Sequence, residues 1–173
     1  MKPRMVAVFS MALALALPAL SQAAYPKTKN KSIVLAKSIG GFSLGGSHKA
    51  LARAWGAPSS SCDQTCEYNG KNSGSHAEVR FGTKSAFEIT ILTAIKLVRG
   101  KDLADCSTPL TKYATSKGIH LCSTVRQLKT AYHGVKKLGS SAYALNGPGK
   151  TQTTFSLDGD NRIFAIGVQA PLT

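Results

Sequence analysis

An α+β fold built from two tandem repeats is what this 173-residue chain predicts. Three observations carry the expectation. The block Gly41–Trp55 returns at Gly118–Tyr132, each block holds one short amphipathic helix, and period-two runs separated by Gly turns follow each helix. Each repeat, over 39–98 and 99–171, is expected to pack its short helix on an antiparallel sheet of about three strands.

The chain opens with Lys2 and Arg4, then an almost continuous apolar run from Met5 to Leu17, ended by Pro18. Ser21-Gln-Ala23 puts small residues where a signal peptidase reads, so residues 1–23 read as a cleavable secretory signal. The apolar run of 13 residues is too short for a spanning helix, which needs roughly 17–25. The first Cys is Cys62, so no lipoprotein anchor is expected at the mature N-terminus. The predicted location is secreted or periplasmic. Cleavage leaves 150 residues carrying 20 Lys+Arg against 8 Asp+Glu, a charge of +12.

Residues 24–38 read as a basic N-terminal arm. Lys27, Lys29, Lys31 and Lys37 stand in a polar stretch, and Ile33-Val-Leu-Ala36 leads into a first strand or helical turn.

The repeat rests on a constant offset of 77. Gly41/Gly118, Leu44/Leu121, Leu51/Leu128 and Ala54/Ala131 are identical, and Phe87, Ile89 and Ile91 fall on Phe164, Ile166 and Val168. Ser47 caps the first helix and Ser123 or Thr124 the second. Ala50, Leu51, Ala54 and Trp55 share one helical face, as do Val125, Leu128, Ala131 and Tyr132. Gly56 with Pro58, and Gly134, stop the helices. Strands follow at Ala77–Phe81 and Phe87–Ile91, the second continuing towards Val98. In the second repeat they are Tyr143–Leu145, Thr151–Leu157 and Ile163–Gln169, joined by turns such as Asp158-Gly-Asp-Asn161. One sheet face should be covered by the helices and the other left open.

Four cysteines, Cys62, Cys66, Cys106 and Cys122, in an exported chain read as two disulfides. Three pairings are open, and Cys62–Cys66 with Cys106–Cys122 is favoured because both close local loops. The rival is a metal site using Cys62, Cys66, His76 and His120. The Cys62/Cys66 spacing fits zinc knuckles poorly, so no metal and no cofactor is expected.

The segment Phe42-Ser-Leu-Gly-Gly-Ser47 with Leu51, and its degenerate copy Ile119-His-Leu-Cys-Ser-Thr124 with Leu128, resembles the beta-lactamase inhibitory protein and the SmpA/OmlA (BamE-type) envelope modules. The resemblance implies tandem units with one disulfide in each and an open concave sheet as the binding face. No inhibitor contact residue matches. The missing N-terminal Cys means that the lipoprotein role of BamE-type proteins does not carry over.

Catalytic signals are thin. No Gly-x-Ser-x-Gly elbow, phosphate loop or His-Glu-x-x-His helix occurs. His48, His76, His120 and His133 read as surface residues, so no catalytic residue is assigned. Charge is the positive clue. No acid occurs from Ala24 to Cys62 or from Cys106 to Leu157, stretches holding six and seven basic residues. Lys49 with Arg53, and Arg126 with Lys129, lie on the solvent faces of the helices, and Lys136 and Lys137 follow. The opposite sheet face should present His76, Glu78 and Arg80. These nine residues are the candidate binding set. Aromatics fall on core parity rather than beside the cations, so nucleic acid is not the expected partner. The expected function is a noncatalytic binding module for an exported protein or an anionic envelope surface. The alternative is a small secreted hydrolase or toxin that uses His76 or His120.

Overall fold

The computed structural model describes residues 24–70, 74–83 and 85–171. The predicted signal segment 1–23 lies outside them. The chain begins with strands β1 (Ser32–Val34), β2 (Ser38–Ile39) and β3 (Phe42–Ser43), then helix α1 (His48–Trp55). Strands β4 (Thr65–Asn69), β5 (His76–Phe81) and β6 (Ala86–Leu92) follow, then β7 (Ile95–Val98) and β8 (Lys101–Ala104). A 3-10 turn at Pro109–Lys112 leads to β9 (Ala114–Thr115) and helix α2 (Val125–Ala131). The chain closes with β10 (Lys136–Leu138), β11 (Ala142–Asn146), β12 (Gln152–Leu157) and β13 (Ile163–Gln169).

Alternation builds the main layer. Cys66 and Tyr68 on β4, Ala77 and Val79 on β5, Ile89 and Ile91 on β6, Phe155 on β12, and Ile166 and Val168 on β13 are all fully buried. Their strand neighbours are mostly half-buried or exposed, the pattern of strands covered on one face. These strands join into a single antiparallel sheet ordered β10-β11-β12-β13-β6-β5-β4. At its centre Ile89 opposes Val168, Thr90 opposes Gly167 and Ile91 opposes Ile166.

This sheet corrects the expected fold class. The chain is mostly β, and its halves are not two modules that each pack a helix on a sheet of about three strands. The first half supplies β4–β6 and the second β10–β13, and both enter one seven-stranded layer. The cause is the edge problem. A free three-stranded half would present β6 as a strand of unpaired amides beside an apolar row. Pairing β6 with β13 satisfies those amides and merges the two apolar rows into one core. Both strands carry a bulge. The ladder passes from Glu88 to Ala86 and from Ala165 to Ile163, leaving Phe87 and Phe164 as the extra residues.

The covering layer holds both helices and a small sheet ordered β3-β2-β1-β9. Leu51, Trp55, Leu128, Ile33, Ile39, Phe42, Leu110, Tyr113, Ile119 and Leu121 are buried in the same core as the main sheet. Trp55 meets Tyr68 edge-on at 5.2 Å, and the Tyr68 hydroxyl donates to the Gly56 carbonyl at 3.0 Å, seating α1 on the β4 end. Seated at the β11 end is α2, where Lys129 Nζ lies 5.2 Å from the Tyr143 ring centre. Ser47 caps α1 by accepting from Ala50 N–H. Thr124 and Gln127 form a capping box on α2, so Thr124 and not Ser123 is the cap. Gly40 allows a close approach at a positive φ. Its φ is +60°, its carbonyl accepts from Trp55 Nε1 at 3.2 Å, and a Cβ there would lie 2.8 Å from the Tyr113 ring.

The apolar run after Ile91 is not one long strand. Thr93 is buried, its hydroxyl donating to the Asp105 carbonyl, and beyond it β7 turns back as a separate hairpin with β8. Arg99 (φ 50°) and Gly100 (φ 75°) make the turn, with both residues in the left-handed region.

Candidate binding surfaces

The covering layer is cationic throughout. Residues 24–62 and 106–135, which build it, hold ten Lys and Arg and no Asp or Glu. All eight acids lie on the main sheet, on the β7–β8 hairpin, or in the loops that border them. Lys49, Arg53, Arg126 and Lys129 are exposed, and none has a carboxylate within ion-pair distance among the described residues. Some of these cations crowd one another. Lys31 is held below its usual pKa, first by partial burial and then by Lys112. Its Nζ donates to the Tyr113 hydroxyl at 3.1 Å and sits 4.5 Å from that ring's centre. Burial pushes the Tyr113 hydroxyl itself up to about 12, so it stays neutral and accepts.

The structure divides the predicted cations. Lys49 and Arg53 belong to the β4 end and Arg126 and Lys129 to the β11 end, because α1 and α2 seat on opposite ends of the sheet. On edge strand β10, Lys137 opposes Tyr143 and Lys136 opposes Ala144. Opposed residues share a face, so Lys137 joins Lys129 on the covered side while Lys136 joins the open side. Sequence reasoning placed Lys117 in the acid-free stretch but not in the site. The structure sets it in a cleft of about 420 Å³ whose other lining includes Gly118, Ile119, Arg126, Gln127 and Thr130. There Lys117 Nζ donates to the Ala131 carbonyl at 2.7 Å, closing the end of α2, and lies 5.0 Å from the Tyr132 ring centre.

On the open sheet face lie His76, Glu78 and Arg80 of β5 and Glu88 of β6, the outward positions that strand parity gives them. Arg80 bridges Glu78 at 3.3 Å and Glu88 at 3.5 Å, while His76 Nε2 lies 3.8 Å from Glu78. Hydrogen bonding to Glu78 is the largest influence on His76 and raises its pKa; the same bond lowers that of Glu78. This cluster neutralises itself. Beyond it the row Thr90, Gly167, Thr154, Ala144 crosses the sheet with small side chains.

Both favoured disulfides are present, Cys62–Cys66 and Cys106–Cys122, with Cα separations of 4.6 and 5.9 Å. The rival metal set is not assembled. Cys66 points into the core, whereas His76 opposes Asn69 on the open face. His120 lies in the covering layer, bridged to Ala114 and with Nδ1 2.5 Å from the Leu121 carbonyl, so it does not meet His76 either. The histidine beside the cysteine pair is His48. Its ring stacks on Phe81 at 3.8 Å, and its Nε2 lies 2.7 Å from the Asp63 carbonyl. His48, Cys62 and Cys66 bring their ligand atoms within 4.8 Å of one another. The signal missed in the sequence is positional: His48 opens the helix whose exit loop carries Cys62 back.

Among the described residues no helix is long and apolar enough to cross a membrane. No protein-family model matches the chain, and no curated protein does. Two solved structures align with it. A DUF4309 family protein, YjgB, from Bacillus subtilis gives a TM-score of 0.43 at 10% identity, over 72% of this chain and 78% of its own. An extracellular protein containing an SCP domain, from Bacillus anthracis, gives 0.37 at 10% identity, over 73% of this chain and 44% of its own. The aligned region thus spans less than half of the second structure, and likeness at this level speaks to neither protein's activity in this chain.

Proposed function

We propose that this protein is an exported, noncatalytic binding module that engages an anionic surface of the cell envelope through the layer covering its sheet. One observation carries the reading: ten cations and no acid in the covering layer, against a sheet face whose charges pair with one another. A layer selected only for solubility gains nothing from excluding acids, since mixed charge serves as well. An acid-free face instead raises the rate of encounter with polyanions. Export is supported by the two disulfides, which persist in oxidising compartments. The noncatalytic reading is supported by the separation of His76 from His120, on opposite sides of the sheet.

Retention of the mature protein on immobilised polyphosphate, with neutral dextran as the control, tests this. Retention should fall as salt shortens the screening length from about 10 Å near 0.1 M to about 3 Å near 1 M. The variant Lys49→Gln/Arg53→Gln/Arg126→Gln/Lys129→Gln should elute at lower salt while keeping its circular dichroism. Equal retention on dextran, or elution unmoved by salt and by the variant, overturns the reading.

A further inference from the structure

We propose that Cys62, Cys66 and His48 form a redox-gated site for a cuprous ion, closed while the cysteines are joined and opened when a dithiol reduces them. The proposal is independent of the anion-binding reading and uses a different part of the molecule.

Three soft or borderline donors converge at one place, with ligand atoms within 4.8 Å of one another. They are graded in depth. His48 is exposed, Cys62 is half-buried and Cys66 is fully buried. A reductant therefore reaches the Cys62 sulfur first, and an ion entering past His48 ends on the Cys66 sulfur at the floor. The disulfide has no need of the imidazole, yet the ring is held in place by two contacts. It stacks on Phe81, with ring planes 14° apart, and its Nε2–H donates to the Asp63 carbonyl, which can only accept. In the neutral ring Nδ1 then carries the lone pair. Fixing a metal-binding imidazole through its other nitrogen is how such ligands are oriented.

The donor set selects the ion. Structural zinc takes four ligands in a tetrahedron, and this cluster offers three. Cuprous ion favours thiolate and imidazole donors, and as a closed-shell ion is satisfied by three of them. The site forms in two balanced steps. A dithiol transfers two electrons and two protons to the Cys62–Cys66 bond, which breaks to two thiols as the dithiol closes to its own disulfide. Cuprous ion then displaces the two thiol protons, forming two Cu–S bonds and one Cu–N bond with no change in oxidation state. A second disulfide reverses this by exchange: it takes two electrons from the two thiolates, the Cys62–Cys66 bond re-forms, the incoming disulfide leaves as a dithiol with two protons taken from water, and the ion is released still cuprous.

The test uses the mature protein under anaerobic conditions, with cuprous ion supplied as its bicinchoninate complex. Protein reduced by a dithiol and desalted should strip one copper per chain from the chelator, and the oxidised protein none. Reduced Cys62→Ser/Cys66→Ser should strip none, which separates this site from Cys106 and Cys122. His48→Gln should weaken binding by at least the roughly tenfold that an outer-shell partner alone can be worth. Trp55 emission reports whether each sample stays folded. Any of four results overturns the proposal: equal copper uptake before and after reduction, unchanged uptake by the double serine variant, preference for zinc(II) over cuprous ion, or loss of the native Trp55 emission on reduction.

Discussion

Replacing Leu128 with Ala should destabilise a tryptophan in the other half of the chain. Leu128 is fully buried on α2, at the β11 end of the sheet. Trp55, the one Trp in the sequence, is buried on α1 against Phe42 and Tyr68 at the β4 end. Both belong to a single core, because the β6–β13 ladder makes one layer of the two halves. Truncating a fully buried Leu costs about 3 kcal/mol once the residual cavity is included. For a folded chain of about 150 residues that lowers the midpoint by about 9 °C. The assay is thermal unfolding followed at Trp55 fluorescence and by far-UV circular dichroism. Both probes should move together by the same interval. A Trp55 transition that stays at the wild-type midpoint while the dichroism shifts would mean that the halves unfold independently, and the continuous sheet would be refuted as an energetic unit.

Other perturbations follow from single contacts. Gly40→Ala puts a Cβ against Tyr113 and Trp55 in the left-handed region, so backbone strain and overpacking together should cost about 2–4 kcal/mol in urea unfolding; a loss under about 0.5 kcal/mol would sink that account. Cys106→Ala/Cys122→Ala opens a loop of sequence separation 16, for which chain entropy gives about 3 kcal/mol, and a shift in midpoint worth less than about 1 kcal/mol would contradict it. For the His76–Glu78 pair the signs are opposite. His76, raised above its ordinary 6.5, contributes stability that is present below that value and is lost as pH rises through its folded pKa. Glu78, lowered below 4.5, contributes stability that is present above that value and is lost as pH falls through its folded pKa. The pair therefore stabilises most between about 4.5 and 6.5, and His76→Gln should flatten the decline in melting temperature above that window. An unchanged decline in the variant would remove His76 as its source.

The local elements were legible in the sequence, and their partners were not. Period-two alternation located most of β5, β6, β12 and β13, and spacing with caps located both helices, because those signals depend only on neighbours in the chain. β4 escaped notice. Its inward residues are Cys66 and Tyr68, and a cysteine in a polar stretch reads as a disulfide loop before it reads as a strand. β10 escaped as well, since Lys136-Lys-Leu138 is an edge strand whose charges guard it against further pairing. The hairpin of β7 and β8 was hidden inside an apolar run; only Arg99-Gly100 marked its turn. The β6–β13 ladder joins residues about 77 positions apart, and nothing in Thr90 or Gly167 marks them as central rather than edge. The same limit governs the site. Which residues are cationic is written in the chain, but that Lys129 and Lys137 converge on Tyr143 follows only from strand register.

The charge division has an energetic cost that the fold is built to bear. Lys112 stands near enough to Lys31 to lower its pKa, second only to burial in doing so. One disulfide crosses from the layer to the sheet and the other lies within the layer. Cys62, in the loop leaving α1, is tied to Cys66 on β4; Cys106, just beyond the hairpin, is tied to Cys122, just before α2. Asp158 adds a third tie, its carboxylate accepting from the backbone of Ala104 and of Arg162, so that hairpin and sheet share one anchor. Five of the eight acids, Glu78, Glu88, Asp105, Asp158 and Asp160, are held by contacts within the sheet and hairpin, and no ion pair joins an acid to Lys49, Arg53, Arg126 or Lys129 among the described residues. Stability alone would put some of them there. Their placement elsewhere is the physical reason for reading that layer as a surface meant for an anion.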